Sequence, residues 1–172
     1  MAAERLTVHA RATVVADADL WGEIEIGSGT VIHPRCKIDA SLGAIRLGQN
    51  CVVEEGAELI STPSGMTVGD GNVFRARCHV SSSTIGNNST FESACRVWAN
   101  VTVSDFCTVG AGCHVGADGV PDALSERTVV YGYGARRVWS GEGVGQQLAL
   151  HAKHLVYLRD TLPRAHKLRI VR

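Results

Sequence analysis

Aromatic residues are scarce in this sequence, with three each of Trp, Tyr and Phe among 172 residues. A basic patch interleaved with aromatics, the usual mark of a nucleic-acid surface, is therefore missing. No stretch approaches the ~18 consecutive apolar residues of a membrane-spanning helix. The first ten residues, MAAERLTVHA, lack the apolar centre of a secretory signal. There is no C-x-x-C pair, no Gly-rich phosphate loop, no nucleophile elbow and no paired-carboxylate pattern. The expectation is a cytoplasmic protein with reduced thiols, no nucleic-acid partner, no direct membrane insertion, no cofactor and no catalytic or metal site.

Net charge is zero overall, with 17 Lys/Arg against 17 Asp/Glu, but it is unevenly placed. Residues 1–135 carry nine basic and fifteen acidic side chains, and residues 136–172 carry eight and two. An acidic body with a basic tail suggests either a fold-back of the tail or an acidic partner.

What the chain does have is a period of six. Val8, Val14, Leu20, Ile26, Ile32 and Ile38 follow one another without a slip, as do Ile85, Phe91, Val97, Val103, Val109 and Val115. Leu47, Val53, Leu59 and Val68, Phe74, Val80 form two shorter runs between them. Neither the helical period nor simple alternation produces this spacing. Six residues suit one short strand and one corner, and three such units make a triangular coil.

Two further columns agree. All six cysteines, at 36, 51, 78, 95, 107 and 113, fall two residues before an aliphatic position, on a second inward site. Gly29, Asn50, Gly56, Gly71, Asn88, Asn100 and Gly112 fall three residues after one, where a left-handed backbone turns the corner. The breaks in the period all follow the third member of a triplet, so insertions stack along one edge of the prism. The fold class is an all-β solenoid, a parallel β-helix of hexapeptide repeats with about six to seven coils, the last passing through Val130. One C-terminal α-helix follows. The domain reading is a β-helix over 1–138, with a linker and amphipathic helix over 139–172 packed on the same domain. The helix spans about 146–162, with Leu148, Ala152, Leu155, Leu158 and Leu162 on one stripe, and ends near Pro163.

The alternation assigns the outward residues to three walls. The first carries Gly27, Gly48, Gly69 and Gly86 beside Thr67, Thr84 and Thr102, flat enough to receive the helix. The second carries Val31, Val52 and Val73. The third carries Trp21, Ile60 and Trp98 in one column, with Asp39 and Ser81 between them. Exposed apolar columns are surfaces that something covers. Trp21, Val31, Val52, Ile60, Val73 and Trp98 are therefore the candidate partner interface. His33, His79 and His114 should point outward as surface histidines, with His79 and His114 too far apart to share a metal.

The repeat, with its I-G-x-x-x-x column, resembles the hexapeptide superfamily, whose members form left-handed parallel β-helices; that resemblance implies the hand. The superfamily includes acyltransferases and γ-class carbonic anhydrases. By repeat phase, Ala76 and Ser81 stand where the anhydrases place two zinc-binding histidines, which implies no metal here. A narrower resemblance is to the dynactin subunit 6 family. It is carried by Thr30-Val31-Ile32-His33-Pro34, Gly71-Asn72-Val73-Phe74, Val129-Val130-Tyr131-Gly132, Arg136-Arg137-Val138 and the closing Leu155, Tyr157, Leu158, Leu162-Pro163, His166 and Leu168. This resemblance implies a non-catalytic, cytoskeleton-associated subunit of the dynactin pointed-end complex, a docking module for dynein-dependent cargo transport on microtubules. Implied partners are dynactin subunit 5, as a heterodimer, and the terminal actin-related protein. Three alternatives stand beside it. One is a hexapeptide acyltransferase-like enzyme with His79 or His114 as general base. Another is a γ-carbonic-anhydrase-like homotrimer without its zinc ligands. The last is a solitary trimeric scaffold.

Overall fold

The computed structural model describes residues 5–171. Coil one holds β1 (Arg5–Val8), β2 (Thr13–Val14) and the first half of β3 (Asp19–Ile26). Coil two continues through the rest of β3, β4 (Val31–Ile32) and the start of β5 (Lys37–Leu47). Coil three takes the end of β5, then β6 (Val52–Val53) and β7 (Glu58–Ile60). Coil four is β8 (Met66–Val68), β9 (Val73–Phe74) and β10 (His79–Val80); coil five is β11 (Thr84–Ile85), β12 (Thr90–Phe91) and β13 (Arg96–Val97). Coil six is β14 (Val101–Val103), β15 (Thr108–Val109) and β16 (His114–Val115). An incomplete seventh coil has β17 (Asp122–Leu124) and β18 (Thr128–Tyr131), after which β19 (Ala135–Val138) turns back antiparallel on β18. The 22-residue helix α1 (Val144–Ala165) closes the fold.

Each strand pairs in parallel with its equivalent one coil away: Val31 with Val52, Val52 with Val73, Ile38 with Leu59. The six-residue aliphatics thus stack into three inward columns with a period-2 neighbour beside them. Phe74 and Phe91 stack inside with ring centroids 4.9 Å apart. All six cysteines are buried and unpaired. Along one corner the inward side chains tie successive coils together. Thr30 Oγ1 donates to Gly48 O and accepts from Cys51 N, while Ser89 Oγ donates to Ser104 O and accepts from Cys107 N. These two buried hydroxyls are thereby satisfied by backbone groups of the neighbouring coil.

Six of the seven expected corner residues have positive φ, from 54° at Asn50 to 73° at Gly29. Asn100 does not; its side chain donates to Val120 O instead. Arg35, Arg77, Ala94, Phe106 and Arg127 occupy the same repeat position with φ of 55–62°. For such residues this conformation costs about 1–2 kcal/mol each, which the coil stacking must offset.

Candidate functional site

The helix settles the fate of the second wall. Leu155, Leu158 and Leu162 pack with Leu168 on Val15, Val31, Val52 and Val73, forming a second apolar cluster outside the solenoid core. Val31 and Val52 are 0% exposed and Val73 is 9% exposed. The helix therefore does not lie on the first wall, and the valine column is not an open interface. The reason is apolar continuity. The leucine stripe needs neighbours in consecutive coils, and only the second wall provides them. The glycines of the first wall serve coil spacing instead: a Cβ at Gly48 would stand 2.4 Å from Gly69 O, and one at Gly69 would stand 2.5 Å from Gly86 O. Burying three leucines contributes roughly 1.5–3 kcal/mol each before entropy is counted.

Polar contacts fix the helix in register. Arg159 donates to Gly29 O at 2.7 and 3.1 Å and to Asn50 Oδ1 at 2.9 Å, and His151 Nε2 lies 2.7 Å from Asn50 O. Beyond the helix, Leu168 bridges antiparallel to Val15, and Arg169 Nη2 donates to Ala16 O and Ala18 O. The basic tail does fold back, but these two arginines bind backbone carbonyls and the Asn50 side-chain amide rather than the carboxylates of the acidic body. Arg136 is the tail cation that pairs with a body carboxylate, Asp122, whose pKa it lowers. The first helical turns pack less tightly. Leu148 and Ala152, expected on the buried stripe, are exposed, and a groove of about 320 Å³ opens beside them, lined by Val73, Arg75, Thr90, His151 and His154. The helix also continues to Ala165, with Pro163 inside its last turn.

His33 is drawn into this interface rather than left on the surface. It is part-buried, its Nε2 has no partner among the described residues, and burial holds its pKa below the ordinary value, partly opposed by Glu54.

The third wall is uncovered by the helix. Trp21 pairs in register with Asp39, and Asp39 with Ile60. Ser81 Oγ donates to Ile60 O one coil below. Trp21, Ile60 and Trp98 thus share a column but stand two coils apart, roughly 10 Å at the strand spacing, with polar residues between. Trp21 is 50% exposed; Ile60 and Trp98 are part-buried. Trp98 is flanked by His114, edge-on at 5.4 Å, and by the Arg96 guanidinium at 5.7 Å. The neighbouring column runs Asp19, Lys37, Glu58, His79, Arg96, His114. His79 Nδ1 lies 3.1 Å from Glu58 Oε2, and His114 is two coils away from it. The third wall is thus a charged ladder with apolar points, not an apolar stripe.

Among the described residues, no three His, Cys, Asp or Glu side chains come together as a metal site. At the positions equivalent to the anhydrase histidines, Ala76 has no side-chain ligand, its N–H donating to Glu54 Oε2 and its C=O accepting from Ala94 N, and Ser81 Oγ is engaged with Ile60 O. A zinc ion does not fit there. Burial pushes the Cys36 thiol up to about 12 and Cys51 to about 11, far from a reactive thiolate.

This geometry defines a parallel β-solenoid of the hexapeptide-repeat class with an attached helix. A hexapeptide transferase family protein from Anaplasma phagocytophilum superposes with a TM-score of 0.80 over 91% of this chain and 93% of that one, at 14% identity. An N-acyltransferase from Bacillus cereus gives 0.69 over 87% and 90%, at 13% identity. At such identities the likeness concerns the fold alone. No protein-family profile matches the chain. Its sequence is 32% identical to dynactin subunit 6 of Nematostella vectensis over 96% of this chain and 92% of that protein. It is 31% identical to dynactin subunit 6 of Danio rerio over 94% and 86%, and 27% identical to that of Dictyostelium discoideum over 92% and 85%. The chain belongs to the dynactin subunit 6 family.

Proposed function

We propose that this chain is a non-catalytic subunit of the dynactin pointed-end complex, a protein-docking module in the cytoplasm for dynein-dependent transport on microtubules. It pairs with the related β-helical dynactin subunit 5 and lies near the terminal actin-related protein. The observation that carries this reading is the similarity to dynactin subunit 6, which runs through the helix as well as the repeats. No helix of the described residues is long and apolar enough to cross a membrane. With the valine column covered, Trp21, Ile60 and Trp98 of the third wall are the remaining side-wall contacts proposed for the assembly. Affinity purification of the tagged chain from its own cells tests the reading. Recovery of dynactin subunit 5 and the actin-related protein in stoichiometric amounts is expected. A purified chain without dynactin subunits overturns it.

A further inference from the structure

The two ends of the solenoid are finished differently. At the C-terminal end too, among the described residues, only the second wall has its strand edge paired, β18 by β19 (Thr128 with Val138, Tyr131 with Ala135), while β16 and β17 end the other two walls; the ends differ in how the core is covered. The last inward side chains are sealed: Val115, Leu124 and Val130 are 1–2% exposed. At the N-terminal end only the second wall is closed. There Lys167 O accepts from Ala16 N, and Arg169 N donates to Val14 O. The first wall begins with β1, which pairs only with β3. The third begins with Asp19–Gly22, which pairs only with the Lys37–Ala40 stretch above it. Neither has a strand on its outer side among the described residues. Of the inward residues of coil one, Val14 and Ala18 are buried, but Leu6, Val8, Ala12 and Leu20 are only partly so, whereas Ile24, Ile26 and Ile38 one coil up are at most 1% exposed. Trp21 stands exposed on the same rim.

A cut core with two unpaired strand edges is not a finished surface. Unpaired edges recruit other strands, and apolar side chains beneath them need cover. A single extended peptide can satisfy one edge. Two edges meeting at a corner, around a shared apolar centre, require a partner with the same triangular cross-section.

We infer that the N-terminal end of coil one is the docking face for the terminal coil of a second, different β-solenoid, which extends the first and third walls and covers Leu6, Val8 and Leu20. This rests on the functional reading above and names the surface through which the related β-helical subunit attaches. The tail at Lys167–Arg169 blocks the second wall, so the partner meets two walls and the closing strand, which sets its rotation about the solenoid axis.

Hydrogen exchange on the full chain, alone and mixed with dynactin subunit 5, is the test. Amides within Arg5–Val8 and Asp19–Gly22 should exchange at least about tenfold more slowly in the complex. Trp21→Glu should weaken pairing by about tenfold or more while leaving thermal unfolding of the isolated chain unchanged. Protection confined to the third wall around Trp98, or to α1, in a complex that does form overturns the end-on face but leaves the functional reading standing. Concentration-dependent protection of the same amides in the chain alone replaces the partner by a second copy. No complex at all removes both the functional reading and the docking face.

Discussion

The second and third walls are made from the same repeat and differ in one respect: whether apolar outward residues occupy consecutive coils. On the second wall Val31, Val52 and Val73 are stacked neighbours, and they are buried beneath Leu155, Leu158 and Leu162. On the third wall Trp21, Ile60 and Trp98 alternate with Asp39 and Ser81 and stay free of the helix. A helix stripe repeats every three to four residues, about 5 Å along its axis, close to the coil spacing of about 4.8 Å. It therefore docks where every coil offers a methyl group, and not where every second coil does.

The contrast is tested most strongly by placing one charge on each wall. Val52→Glu puts a carboxylate under the helix without a partner. A loss of roughly 3–5 kcal/mol or detachment of α1 is expected, read by thermal unfolding and by protease sensitivity near residue 144. Trp98→Glu, on the open wall, should cost less than about 1 kcal/mol. Equal effects would show that the two walls are not distinct.

Truncating the helix side of the contact comes next. Leu158→Ala should destabilise by roughly 2–3 kcal/mol in chemical unfolding, through lost burial and the gap it leaves. Arg159→Ala should cost less, about 1–2 kcal/mol, because its bonds to Gly29 O and Asn50 Oδ1 lie at the part-exposed edge of the interface. An Arg159→Ala loss exceeding that of Leu158→Ala would make the attachment polar rather than apolar.

The smallest effect concerns pH. Burial lowers the His33 pKa below its ordinary value of 6.5, so the unfolded chain binds this proton more readily than the folded one. The stabilisation from neutral His33 is complete above 6.5 and is lost as pH falls through that value towards the folded pKa. His33→Gln should flatten the fall in thermal stability between about pH 7.5 and 5.5. An unchanged slope would place the pH sensitivity elsewhere.

Much of this architecture was legible in the residues. The period of six located the inward columns, and the cysteine column identified the second inward site. The break after every third aliphatic placed the insertions, now seen at residues 41–44 and 61–65, on one edge. The corner column was legible only where Gly or Asn marked it. Arg35, Arg77, Ala94 and Phe106 adopt the same conformation because the coils on either side impose it, and their identity carries no sign of that. The first-wall glycines read as a platform for the helix because they are small; their smallness is required by the backbone one coil away. The usable signal for the helix was the coil-to-coil continuity of the valines, which separates a covered column from an interrupted one. The open end at Leu6, Val8 and Leu20 had no signature at all, since an inward aliphatic reads the same in the first coil as in the fourth.

Whether this solenoid is built to join another rather than to catalyse is tested most directly by native mass measurement. The purified chain would be weighed alone, with dynactin subunit 5, and with acyl-coenzyme A. A monomer that forms a one-to-one heterodimer and ignores the acyl-coenzyme A is the predicted result. A stable homotrimer that binds acyl-coenzyme A and does not pair with dynactin subunit 5 would contradict it.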